Sequence, residues 1–242
     1  MVVATNATKN KKYIDKYSKL LSDLKIDFNN IEGYILAFIH RSVVNERPDF
    51  APEHNERLEF LGDAVLELVV TNELFKDYPE KTEGELTDIR SAIVRGRNLA
   101  EVSIKLGFNE YLILGNGERL SGGENNNYIL ANCVESFIGA IYTDLGYAIA
   151  SDFILKYLYS TLDTILEKKL FKDAKSSIQE YIQAQFDITP SYKVLKEDGP
   201  DHNKNFTVGV YMGEKFLGEG NGSSKKKAEE SAAENAYSLI NK

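Results

Sequence analysis

The chain has 242 residues, 43% apolar and 27% charged, with 29 Lys and Arg against 37 Asp and Glu for a formal charge of −8. That is the composition of a soluble globular protein, long enough for one ordinary domain and a small one. It argues against a nucleic-acid partner unless a local basic cluster supplies the contact. The single cysteine, Cys133, excludes an intramolecular disulfide and fits a reducing cytoplasm. The longest apolar runs fall short of a membrane span, and the opening residues lack a signal peptide's apolar core, so a cytoplasmic protein without a membrane partner is expected.

Residues 1–12 are polar and unpatterned, the expected flexible N-terminus. From 13 to 168 the helical period dominates, with helices predicted near 13–24, 31–43, 55–76, 83–95, 97–106, 128–145 and 147–168, which describes an all-α domain. In the third helix, apolar residues from Leu58 to Val70 cover most of the circumference, as in a helix buried in a core. Glu59, Asp63 and Glu67 interrupt it at i, i+4 and i+8, stacked on one face. Buried like charges are unfavourable unless a cation or several donors compensate, so this face is either a solvated acidic stripe or a metal site.

Glu83 to Thr87 opens the next helix, and Ser121 to Asn127 forms a polar loop. Tyr128 to Asp144 then repeats the design of the third helix: apolar nearly all round, with Asn132 and Glu135 at i, i+3. Two core helices that each present oxygen ligands can build one hard-cation site, suited to Mg²⁺ or Mn²⁺. Gly62 and Gly139 beside these acids imply close backbone approach, to another helix, to a second subunit or as a packing notch. Cys133 reads as an inert core thiol. His40 and His54 sit at helix entries, where an imidazole bonds backbone or a carboxylate, and Arg41 and Arg57 read as ion-pair partners of the acidic cluster.

A charged linker, 169–174, leads into a second domain, 175–242. Its predicted order is a helix over Ser176–Phe186, strands over Ser191–Lys196, Asn205–Tyr211 and Lys215–Glu219, and a helix over Ser224–Ile240, a small α+β (α-β-β-β-α) module. Neither domain is basic overall: from Asp173 onward nine Lys and no Arg face eleven Asp and Glu. The clustered Lys225, Lys226 and Lys227 open the last helix, with Ser224 as its cap, where ammonium groups and N-terminal amides converge on phosphate.

The run from His54 to Leu66 resembles the signature of bacterial ribonuclease III, supported by Ala37–Ser42, Glu83–Thr87, Ser121-Gly122-Gly123 and Glu135–Tyr142. The second domain is similar to the double-stranded-RNA-binding domain of that family, through Gln179-Glu180, Gly199–His202 and Gly220–Glu229. The resemblance implies an Mg²⁺-dependent endoribonuclease that cleaves double-stranded RNA, such as ribosomal RNA precursors, to 5′-phosphate and 3′-hydroxyl ends as a homodimer. It implies metal ligation by Glu59, Asp63, Asn132 and Glu135, catalysis through Asp63 and Glu135, and RNA contacts from Gln179, His202, Ser224, Lys225 and Lys226. The family's residue at the position of Asn132 is usually aspartate. An amide binds a hard cation more weakly, so a higher metal requirement or slower turnover is expected; the alternative is a catalytically weakened, ribosome-associated or RNA-binding relative.

Overall fold

In the computed structural model, which describes residues 10–167, 174–200 and 204–240, the chain divides into two compact units, Met1–Phe171 and Lys172–Lys242. Of the segments expected to be a flexible end and a linker, residues 1–9 and 168–173 lie outside the described residues. Asn10 caps α1 (Lys11–Leu24) by accepting from the Lys12 amide at 3.0 Å, so Lys11 and Lys12 belong to the helix.

Among the described residues the first unit is helical, as expected, with one isolated bridge between Ile39 and Ile113. The predicted 31–43 helix is two: α2 (Ile31–Ala37) and α3 (Arg41–Glu46). Between them Ile39 bridges to Ile113, and His40 lies in extended backbone, its Nδ1 accepting from the Ser42 amide at 3.3 Å to cap α3. Next come α4 (Glu56–Asp77), α5 (Glu83–Val94) and α6 (Gly96–Lys105). A five-residue helix that the periodicity did not suggest, α7 (Asn116–Leu120), is held by Glu46, whose carboxylate accepts from the Asn116 and Gly117 amides at 2.7 and 3.0 Å.

The long α8 (Asn127–Tyr157) is bent at Gly146, where φ is 80°, the break expected between the last two predicted helices. A 3₁₀ turn, Tyr159–Thr161, leads to α9 (Leu162–Glu167). By length and hydropathy Asn127–Glu167 passes as a membrane span, which the separate apolar runs did not register. In the fold Leu130, Val134, Phe137, Ile138 and Ile141 of α8 are instead the centre of the core, and Phe137 meets Phe108 with ring centroids 4.9 Å apart.

Helix α4 departs from the reading of a helix buried all round. Leu58, Val65, Leu66, Val69, Val70 and Leu74 are buried, but Phe60, Leu68 and Phe75 are 82%, 58% and 72% exposed. Their spacing of eight and seven residues places them on one face, opposite the core.

The second unit has the expected order: α10 (Ala174–Phe186), β1 (Ser191–Asp198), β2 (Asn205–Met212), β3 (Lys215–Gly222) and α11 (Lys225–Ile240). The strands form an antiparallel β1-β2-β3 meander, with Tyr192 opposite Val210 and Val208 opposite Gly220. One face packs on the helices through Ile178, Ile182, Val210, Ala232, Ala233 and Ala236. Gly220 and Gly222 face α11, where an added Cβ would strike the backbone at Ala232 or Ala228.

Candidate active site and nucleic-acid interface

The crossing of α4 and α8 is set by their two glycines. A Cβ at Gly62 would overlap the backbone oxygen of Glu135 and lie 2.8 Å from the Gly139 nitrogen; one at Gly139 would overlap the Leu58 carbonyl. The close neighbour that each glycine implies is therefore the other helix of the same chain. With the backbones in contact, the acids one turn to either side of the crossing share a cleft. Glu59, Asp63, Asn132 and Glu135 line a space of about 630 Å³ together with Glu56, Phe60, Gly96 and Tyr128. Glu67, the third member of the acidic row, is outside it.

Asn55 at the entry of α4 holds this geometry, a role the sequence reading missed. It is 5% exposed; its backbone N–H donates to Ile39 O at 3.0 Å and its Nδ2 to Ala37 O at 3.2 Å. Ser136 Oγ donates to Asn132 O at 2.7 Å and lies 3.3 Å from Asn55 O, tying α8 to the same point. An asparagine directly before an acid-rich helix was the available signal, because a short amide at that position caps or anchors.

Electrostatically the cleft is strained. Burial, reinforced by Asp63 and Glu59, pushes the Glu135 carboxyl up to about 8. Burial and the Glu56 charge raise Glu59, which the Asn132 amide partly offsets by a hydrogen bond. Glu59 Oε2 is buried without a hydrogen-bond partner. Like-charge repulsion opposes closer approach, and among the described residues no three Asp, Glu, His or Cys side chains close on one ion-sized space. An orphaned buried carboxyl oxygen among three acids and an amide is the donor set that a hard divalent cation fits, since it would supply the missing partner and favour the ionised forms.

Of the two histidines, His40 makes the bond expected at a helix entry and His54 Nδ1 is buried without a hydrogen-bond partner. His40 is the α3 cap, with its pKa lowered by burial, and His54 Nδ1 lies 3.8 Å from Glu56 Oε2, beyond hydrogen-bond distance. Arg41 reaches Glu56 at 3.7 Å. At the start of α5, Thr82 and Glu85 form a capping box, which lowers the Glu85 pKa through its bonds to Thr82. Burial raises the Cys133 thiol, as an inert core cysteine requires.

In the second unit Gln179 is exposed on α10, and Ser224 Oγ accepts from the Lys227 amide at 3.3 Å to cap α11. Lys225 and Lys226 are exposed at its first turn. Lys225 pairs with Glu197 at 3.2 Å and lies over the Phe206 ring. His202 lies outside the described residues.

Residues 31–162 match the family model described as Ribonuclease-III-like, and residues 174–240 match the double-stranded RNA binding motif. The chain is 46% identical to Ribonuclease 3 of Borreliella afzelii over 223 residues, which is 92% of this chain and 91% of that one. It is 43% identical to Ribonuclease 3 of Leptospira interrogans over 234 residues, 97% of this chain and 94% of that one. Among solved structures, a nuclease domain of ribonuclease III from Campylobacter jejuni, described as flexible in a region involved in dimer formation, aligns with a TM-score of 0.54 at 32% identity. That alignment covers 59% of this chain and 95% of that one.

Proposed function

The chain belongs to the ribonuclease III family, endoribonucleases that act on double-stranded RNA, and from that premise we propose that it hydrolyses duplex RNA by Mg²⁺-dependent chemistry in the α4/α8 cleft. The observation that carries this reading is the orphaned Glu59 oxygen beside a Glu135 carboxyl raised to about 8, in one cleft with Asp63 and Asn132. Glu59, Asp63, Asn132 and Glu135 would hold Mg²⁺, or Mn²⁺ in its place. When bound, the ion supplies Lewis acidity toward the phosphodiester and the water that cleaves it. Glu135 and Asp63 would orient the attacking water from the cleft wall, and a carboxylate there can accept its proton. Asn132 contributes an oxygen without charge and steadies Glu59. The products expected are 5′-phosphate and 3′-hydroxyl ends, and structured RNA such as ribosomal precursors in the cytoplasm is the proposed substrate.

The 13–168 segment serves as the nuclease and dimerisation domain in this reading, and 175–242 as the RNA-binding domain joined to it by 169–174. A homodimer is supported by the exposed stripe of Phe60, Leu68 and Phe75, an apolar face on which a second copy would pack, with Phe60 at the lip of the cleft. Gln179, Ser224, Lys225 and Lys226, with His202, form the proposed RNA surface, where lysines meet phosphates and recognition follows duplex shape.

The test is cleavage of a labelled RNA duplex across a Mg²⁺ titration, for this chain and for Asn132→Asp. Cleavage by both, with the variant needing less metal, is expected. Cleavage by the variant alone would favour the second reading, an RNA binder weakened at Asn132, and cleavage by neither would overturn the proposal.

A further inference from the structure

On the helical unit, α6 and the segment from Lys156 through α9 enclose a second cavity of about 480 Å³, within the range of roughly 300–1,000 Å³ typical of small-molecule sites. Arg95, Arg97, Lys105 and Lys156 line it against a single acid, Glu101. The concentration is unusual for a chain whose acids outnumber its bases by 37 to 29. Arg97 Nε pairs with Glu101 at 3.3 Å, whereas Arg95, Lys105 and Lys156 have no carboxylate partner among the described residues. Like charges gathered without counter-charges repel one another, and an anion among them relieves that repulsion.

The rest of the lining is mixed: Asn98, Ser160, Thr161 and Thr164 offer hydrogen-bonding groups beside Val102, Leu106, Ile165 and the Tyr157 ring, over which Lys156 lies at 4.7 Å. Inorganic phosphate would fill only a small part of this space and leave its hydroxyl and apolar groups to water. A duplex phosphate is carried on a wide, stiff cylinder and cannot bring an apolar body into a concave space of this size. The combination calls for a compact ligand with a charged end and a body that carries both hydrogen-bonding groups and an apolar face. We propose that this cavity binds a small phosphorylated ligand of the nucleoside mono- or diphosphate class. The phosphate engages Arg95, Lys105 and Lys156, the sugar hydroxyls meet Ser160 and Thr164, and the base lies against Leu106 and Ile165.

The site adjoins the catalytic cleft through consecutive residues. Gly96 lines the cleft, while Arg95 and Arg97 on either side of it line the cavity. A ligand held by Arg95 therefore bears on the start of α6, whose Gly96 lines the cleft.

The test is equilibrium binding of a fluorescent nucleoside diphosphate to the full chain in EDTA, which removes metal-assisted binding in the acidic cleft. Unlabelled nucleotide, inorganic phosphate, unphosphorylated nucleoside and a short RNA duplex serve as competitors. Saturable binding of one equivalent is expected, displaced by nucleotide far better than by phosphate or nucleoside. Lys105→Gln with Lys156→Gln should weaken it by about ten-fold or more, as loss of two charge-assisted bonds requires, with circular dichroism and nucleotide-free RNA cleavage unchanged. Absence of saturable binding, or binding indifferent to the double variant, would overturn the proposal. So would displacement by duplex RNA that is itself lost in the double variant, because the cavity would then belong to the RNA path.

Discussion

Gly62 and Gly139 let α4 and α8 cross backbone to backbone, and Gly220 and Gly222 let α11 lie equally close to β3. The same absence of side chains has opposite electrostatic consequences in the two units. At the α4/α8 crossing it draws Glu59 and Glu135 into a half-buried cleft beside Asp63, where ionisation of the two glutamates is opposed. Under α11 it seats a flat alanine face, Ala228, Ala232 and Ala236, and leaves Lys225 and Lys226 in water. Charge held out of water is strongly coupled to metal and pH, while charge left in water is coupled to salt. Catalysis and duplex binding should therefore fail separately, under different perturbations.

The largest separation is expected from Glu135→Ala. If Glu135 helps to hold a Lewis acid worth several kcal/mol, as proposed, its loss should slow duplex cleavage on the order of 10³-fold, with duplex affinity by fluorescence anisotropy unchanged. A parallel loss of affinity would make Glu135 a structural group and collapse the distinction. Next in size is Gly62→Ala. The new methyl meets the Glu135 carbonyl, which is helix backbone and cannot rotate aside, so urea unfolding should show a loss of about 3 kcal/mol. A loss below about 1 kcal/mol, the ordinary range of surface changes, would mean that the helices separate freely and that the acids are not held by the crossing.

The pH dependence sharpens the comparison further. Glu135 holds its proton to about pH 8 in the fold, and its ordinary value is 4.5. Below pH 4.5 both folded and unfolded forms are protonated, so the group costs nothing there. Between the two values only the unfolded chain has released the proton, and metal-free stability should fall with rising pH by up to about 1.4 kcal/mol per unit. Above about 8 that loss is complete. The raised Glu59 acts in the same direction. Denaturation midpoints in EDTA from pH 5 to 8.5 should show this slope, and Glu135→Gln should flatten it. A slope unaffected by Glu135→Gln would place the linkage elsewhere.

How much of this was legible in the sequence follows from the range of the interactions. The acids at i, i+4 and i, i+3 and the glycines beside them are local patterns, and they marked the two helices and their close approach. The partner of each glycine was not local: Gly62 meets Glu135 across the chain, and only the fold chooses that neighbour over a second subunit. The periodicity of α4 also misled, because an apolar residue is consistent with a core or with an interface. Phe60 and Leu68 read as buried, yet they are exposed. The split of the 31–43 helix depends on a bridge from Ile39 to Ile113, and α7 on Glu46 seventy residues away, neither of which has a signature nearby. The α-β-β-β-α order of the small unit was readable because alternation, turn glycines and a cap are all local.

The smallest effect, and the one that separates the two lysines from each other, belongs to the exposed end of α11. Each lysine that contacts phosphate releases about one counterion, so its loss should reduce the salt dependence of duplex binding by about one in the log–log slope. Lys225 is already engaged by Glu197 at 3.2 Å, whereas Lys226 has no ion pair among the described residues. On binding, Lys225 must share or give up that carboxylate, which cancels part of its gain and retains an anion near the phosphate. Lys226→Ala should therefore flatten the slope more than Lys225→Ala. Glu197→Gln should strengthen binding slightly at low salt by freeing Lys225. Equal effects of the two alanine variants, with Glu197→Gln neutral, would show that the ion pair is open in solution and that both lysines meet the duplex as free cations.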